Sequence, residues 1–362
     1  MRTQTILLLC LLGVICLFAG SAAAFYYAIN DSGEVVGTVS PNYGDARAFL
    51  WLPEPAYGLP AGMNDLGTFG SEKNWAADIN NSGQVVGAVY YPHFGYLWEE
   101  GVITDLGTLG GDGCSPRGMN DVAQVVGSSH TASGDSHPFL WESGAMTDLG
   151  FVPVGSTGSA LAINNLGQVV GTWRDPSIPM SRPFLWENGV VVNLELQLDA
   201  RHASAWDIND SGQVVGGASG DGWWRAVLWE GDVLTELSPP PGYPHTSAYA
   251  INNSGQVVGT GSSGWATRAV LWEDGVAYDL NDLIPPNTGW LLTTAEDIND
   301  AGQIVGTMRL ADESTPYVHA FIWEDGMLTD LGPTHYWIPE PATLWLVALG
   351  ALGLLLRRRA QQ

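Results

Sequence analysis

Between residues 25 and 335 the apolar positions fall in short β-branched runs punctuated by turn residues. Seven times an Ile- or Met-Asn-Asx turn leads into Val-Val-Gly or Ile-Val-Gly, and seven times an apolar-apolar-Trp triplet follows. The turn asparagines are Asn30, Asn80, Asn120, Asn164, Asn209, Asn252 and Asn299; the tryptophans are Trp51, Trp98, Trp141, Trp186, Trp229, Trp272 and Trp323. A fixed period in the forties built from strand signals alone marks a propeller or an array.

The copy from Ala205 to Leu237 shows the unit. Trp206-Asp207-Ile208 predicts a short strand, Asn209-Asp210-Ser211-Gly212 a turn, and Gln213-Val214-Val215-Gly216 a β-branched second strand. Ala226-Val227-Leu228-Trp229 predicts a third strand, and Val233 to Leu237 a fourth. Other copies turn at Asn188-Gly189, Asp274-Gly275 and Asp325-Gly326, dipeptides suited to type I′ hairpins. Two hairpins per repeat make a four-stranded meander, the unit of a propeller blade. The predicted fold is therefore all-β, a seven-bladed β-propeller of four-stranded antiparallel blades, with a β-solenoid as the structural rival. The repeat tryptophans are expected in the core. Copy one departs from the pattern with Leu52-Pro53-Glu54-Pro55, which puts its outer hairpin in doubt. An offset between blade and repeat boundaries would let a strand over Tyr26–Ile29 complete the last blade.

A meander sends its first-second and third-fourth turns to one face of the ring. Those turns are short, repetitive and acidic. The other face receives longer, more variable loops, where binding residues tend to lie. All nine basic residues between 25 and 342 fall there or at its margins, as do Trp75, Trp173, Trp206, Trp223, Trp224, Trp265 and Trp290. Indoles flanked by arginine suit sugar-ring stacking and hydroxyl hydrogen bonding. The candidate binding residues are Trp206, Trp223, Trp224, Arg225, Trp265 and Arg268.

Charge narrows the partners. Nine basic residues stand against 38 acidic ones over 25–342, and such a surface repels nucleic acid and anionic lipid. The N-terminus reads as a secretory signal over residues 1–24: Arg2, an apolar stretch from Ile6 to Phe18, and Ala22-Ala23-Ala24 before Phe25. Cys10 and Cys16 leave with it, so Cys114 has no intramolecular disulfide partner. At the other end, over 336–362, Pro339-Glu340-Pro341 precedes an apolar run from Leu344 to Leu356 and then Arg357-Arg358-Arg359. As a helix, Ala342 to Leu356 would span only ~22 Å, short of the ~30 Å hydrocarbon core, which suits a temporary anchor.

This ordered tail resembles the PEP-CTERM sorting signal of Gram-negative bacteria. The resemblance implies transient anchoring in the inner membrane, cleavage near Pro339-Glu340-Pro341 by an exosortase, and delivery to the cell surface or matrix. His319-Ala320-Phe321 and the weaker His137-Pro138-Phe139 make the repeats resemble the HAF-type extracellular repeat. That resemblance implies a secreted bacterial protein with no established activity.

Catalytic and metal motifs are thin. Asp78, Asp207 and Asp297 each open an Asp-Ile-Asn run that begins like a calcium loop, but the later ligand positions are apolar, so a turn is the better reading. The histidines are scattered singly, and neither a nucleophile elbow nor a phosphate loop occurs. No catalytic residue, metal ligand or cofactor is assigned. Two readings remain: a surface or matrix protein binding glycan or another exported protein, and a propeller hydrolase or lyase acting on extracellular polysaccharide. A carboxylate pair with His or Arg near the ring axis would favour the enzyme.

Overall fold

The computed structural model describes residues 27–40, 45–71, 73–177, 180–194, 202–220, 223–312 and 318–334. The proposed signal segment and the sorting tail, including Pro339, Glu340, Pro341 and Arg357 to Arg359, lie outside the described residues. Seven four-stranded antiparallel sheets follow one another along the chain, over 28–65, 74–105, 110–148, 157–193, 202–236, 245–279 and 290–333. The fold is a seven-bladed β-propeller, as the repeat predicts.

Blade five shows why the sequence folds this way. Its strands are His202–Ile208, Gln213–Ser219, Trp224–Glu230 and Val233–Glu236, numbered outward from the ring axis. Val214 and Val215 alternate between the two faces of the second strand, so each is buried against a different neighbouring blade. Trp229 fills the same interblade core as Ala205, Ile208 and Val227 and is 2% exposed. Five of the seven repeat tryptophans are buried in this way, whereas Trp51 and Trp186 are half-exposed at the rim. Both turn residues of the outer hairpins have positive φ at Asn188-Gly189, Asp274-Gly275 and Asp325-Gly326, as type I′ requires.

The glycine of Val-Val-Gly has a cause the pattern alone conceals. The inner strand of blade five is bulged between Ala205 and Asp207, and this turns the Ser204 carbonyl onto Gly216. A Cβ at Gly216 would overlap that oxygen. The same bulge meets the same glycine at Gly87, Gly127, Gly171, Gly259 and Gly306.

Blade one holds two corrections. The strand Ala28–Ile29 pairs with Val35–Val39 of its own blade, and blade seven draws all four strands from 290–333, so no strand is exchanged at closure. Its outer hairpin does form: Arg47–Leu52 pairs with Gly62–Asp65, and the irregular segment between them is accommodated as a longer loop. The seam is held instead by the Ile29 amide donating to Asp297 (2.9 Å) and the Ser40 amide donating to the Thr334 carbonyl (2.8 Å). Tyr27, Ile29, Val35 and Phe49 pack there against Val305, Ala320 and Ile322.

Candidate functional site

The short-turn face is organised by the turn asparagines. Each Oδ1 accepts the amide four residues on, for example Gln213 to Asn209 at 3.0 Å. Each Nδ2 donates to the carbonyl of the next copy's asparagine: Asn30 to Asn80, then Asn120, Asn164, Asn209, Asn252, Asn299 and back to Asn30, at 2.9–3.2 Å. A second closed circuit runs outside the first. The amides of Asp31, Asn81, Asp121, Asn165, Asp210, Asn253 and Asp300 each donate to the next side chain around the ring, at 2.8–2.9 Å. Aspartate and asparagine alternate, but seven is odd, so two carboxylates, Asp300 and Asp31, meet at the seam. The two circuits and the buried ring of Ile and Met side chains line an axial cavity of about 180 Å³.

Two residues before the turn asparagines, Asp78, Asp207 and Asp297 are half-buried, with their carboxylates enclosed by protein. Each spends both oxygens on amides. Asp78 accepts from Ile79 and Met119, Asp207 from Ile208 and Ile251, and Asp297 from Ile298 and Ile29, at 2.7–2.9 Å. These carboxylates staple neighbouring inner strands, which explains the run that begins like a calcium loop. Desolvation by burial pushes Asp78 up to about 7 and Asp207 up to about 6, and raises Asp297 well above the usual carboxylate range. Glu296 rises to about 7 for the same reason. Among the described residues no group of three or more His, Cys, Asp or Glu side chains is placed to hold a metal ion. Cys114 is buried, and burial pushes its thiol up to about 11, so it is not a ready nucleophile.

On the long-loop face four of the candidate residues fall together. Trp206, at the bulge of blade five's inner strand, lies 5.6 Å from Trp224 and 5.4 Å from Tyr249 of blade six, centroid to centroid. Trp223 stacks flat on His245 at 3.9 Å. Trp223 is 54% exposed and Trp224 36%, while Trp206 and Tyr249 are half-buried behind them. Arg225 follows Trp224 on the same strand. Room for the two indoles comes from Gly217, where a Cβ would stand 2.7 Å from Trp224 and 2.8 Å from Trp206. The sequence reading did not single out Gly217, Tyr249 or the stacking role of His245. The doubled Gly216-Gly217, where most copies have one glycine, is the signal that marks the place.

Two candidates fall elsewhere. Arg268 reaches Asp279 at 3.6 Å and lies 5.1 Å over the Tyr243 ring, so it serves blade six's own outer strands. Arg47–Asp65, His137–Asp148 and His319–Asp330 repeat that pairing at 2.6, 2.7 and 2.8 Å. In these blades the basic or histidine position beside the buried Phe or Val is thus structural. Trp265 is fully exposed on the tight turn after Val257–Ser263 and makes no ring contact among the described residues.

None of the curated proteins matches this chain in sequence. Solved structures share its architecture. The propeller domain of the trilobed protease from Pyrococcus furiosus superposes with a TM-score of 0.54 at 11% identity, covering 85% of this chain and 95% of that one. Acylaminoacyl peptidase from Pyrococcus horikoshii gives 0.53 at 11% identity, over 85% of this chain and 52% of that one. A prolyl endopeptidase structure gives 0.56 at 9% identity, over 83% and 48%. This chain spans about half the length of those two peptidases. At such identities the likeness is one of fold. Residues 338–359 match the family model of the PEP-CTERM protein-sorting motif, which implies an exported chain, transiently anchored in a membrane and processed by an exosortase.

Proposed function

We propose that this exported chain is a surface or matrix protein of a Gram-negative bacterium that binds a neutral or weakly charged glycan across blades five and six. The observation that carries the reading is the run of rings from Trp224 through Trp206 to Tyr249, with Trp223 on His245 beside it and the outer indoles open to solvent. Contiguous exposed aromatic surface on a rigid scaffold marks a recognition site. The C–H faces of a sugar stack on indole, and Arg225 supplies donors for hydroxyls or a uronic carboxylate. Stacking on this scale corresponds to micromolar or weaker affinity.

The resemblance of the repeats to the HAF-type extracellular repeat, carried by His319-Ala320-Phe321, supports this reading. A carboxylate pair with His or Arg near the axis would favour a hydrolase or lyase, but the inner-strand Asp78, Asp207 and Asp297 are each committed to two amides. That commitment favours binding over turnover.

A glycan array probed with the processed protein, followed by Trp224→Ala, tests the site. Expected is a hit whose affinity falls at least about tenfold in the variant while the melting temperature is unchanged. Undiminished binding in the Trp206→Ala, Trp224→Ala double variant would move the site off this patch. Hydrolysis or elimination products from any hit would restore the enzyme reading.

A further inference from the structure

Copy one departs from the repeat at Pro53, and the departure has a purpose that one other blade junction makes visible. The segment between Leu52 and Gly62 delivers Tyr57 into the groove between blades one and two. Its ring meets Trp98 edge-on at 6.4 Å, and its hydroxyl donates to Glu34 Oε2 at 3.1 Å. Tyr57 lies so close over the Asn-Asx turn of blade two that a Cβ at Gly83 would overlap the phenol. Burial, and then the Glu34 charge, push this phenol up to about 12, so it remains a donor at any ordinary pH.

At the junction of blades six and seven the matching positions enclose an open cavity of about 550 Å³. Trp323 stands where Trp98 does, Gly302 where Gly83 does, and Gln256 where Glu34 does; all three line the cavity. No insertion fills it, because blade six turns tightly at Asp274-Gly275. The carboxylate has moved but is present. Gln256 Nε2 donates to Glu273 Oε1 at 2.7 Å, and Glu273 Oε2 has no donor among the described residues. Tyr278 and Leu283, from the outermost strand of blade six and the segment after it, add walls. The Trp323 indole N–H is buried without an acceptor among the described residues.

We infer that the groove between blades six and seven is a binding site for a phenol ring, taken from a tyrosine side chain of a partner polypeptide. The chain's own Tyr57 shows the pose at the equivalent place: ring edge against tryptophan, glycine beneath, hydroxyl to a carboxylate. The partner's ring would lie against Trp323 over Gly302 and donate to Glu273. This site is on the short-turn face, away from the glycan patch, so the two readings stand or fall separately.

The test titrates the full-length protein in detergent with N-acetyl-tyrosinamide by saturation-transfer NMR and calorimetry. Saturable millimolar binding is expected, with N-acetyl-phenylalaninamide weaker by about tenfold because it lacks the donor to a carboxylate. Glu273→Gln should remove most of that preference, and Ala301→Trp, which fills the cavity from an exposed wall position, should abolish binding. Tyr57→Ala should empty the blade one–two groove and raise the stoichiometry by one. Melting curves show which variants remain folded, and Glu273→Gln at the cavity wall decides the matter if Ala301→Trp does not. No saturable binding below about 10 mM, equal binding of the two amides, or a preference untouched by Glu273→Gln would overturn the inference. Loss of tyrosinamide binding in Trp224→Ala would place the probe on the other face and overturn it too.

Discussion

The two faces of the ring are built on opposite principles. The short-turn face is made by repetition: seven asparagines and seven Asx residues close two hydrogen-bonded circuits, and each copy contributes the same atoms. The long-loop face is made by departures from the repeat. Trp206 and Tyr249 occupy the bulge position where blade two has Ala77 and blade four Leu161, and Gly217 stands where blade four has Thr172. Repetition closes the ring, and exceptions make the candidate sites. Tyr57 and Tyr278, both exceptions on the repetitive face, follow the same rule.

Removing a part of the repetitive scaffold should cost most. Trp229 is buried between blades four and five, and Trp229→Ala is expected to lose ~3–5 kcal/mol, as large aromatic core truncations do. A chemical melt within about 0.5 kcal/mol of the parent would show that the interblade core is not what stabilises the ring. Gly216→Ala should follow, at ~1–3 kcal/mol, because its Cβ meets a backbone carbonyl that cannot swing away. Neither change touches the aromatic patch, so glycan binding by the folded fraction should be unaltered.

The scaffold also has a pH signature. Burial raises the carboxyls of Asp78, Asp207, Glu296 and Asp297 in the folded state above their unfolded values. Stability from such groups is full below about pH 4 and is lost as pH rises through the folded values near 6 to 7. The melting temperature is therefore expected to be higher at pH 5.5 than at pH 8. Asp297→Asn, which imitates the protonated seam residue, should narrow that gap. A melting temperature that climbs from pH 5.5 to pH 8 would contradict the burial argument.

The repetitive half was legible in the sequence, whereas the exceptional half showed its tryptophans but not how they converge, for a physical reason. Asn209 and Trp229 recur with a fixed spacing, and periodicity is a property of the chain itself. The partner of Asn209 is a carbonyl 43 residues away, yet any copy predicts it from the others. The link from Trp206 to Tyr249 also spans 43 residues, but only the folded junction shows that two dissimilar bulge residues converge. Arg268 stands apart from the ring run in a way the sequence did not show, because its third-strand position pairs with the outer strand in several blades. Copy one misled for a related reason of folded context. Pro53 and Pro55 suggested a broken hairpin, when the hairpin only needed a longer loop and the loop carried Tyr57.

The smallest expected change in stability separates the two faces most cleanly, because it uses the neighbour of Gly216. Gly217→Ala adds the same methyl one residue along the same strand, but the atoms it meets are the rings of Trp206 and Trp224 rather than backbone. Trp224 reaches the surface and its indole can rotate outward, so the fold should absorb the change within about 0.5 kcal/mol. The aromatic run cannot absorb it, since the 5.6 Å approach of the two indoles depends on the space above that glycine. Glycan affinity should therefore fall about as far as in Trp224→Ala, with the melt unchanged. If Gly217→Ala instead destabilises as much as Gly216→Ala and spares binding, the two indoles belong to the scaffold. The contrast between a repetitive face and an exceptional one would then fail where it is most specific.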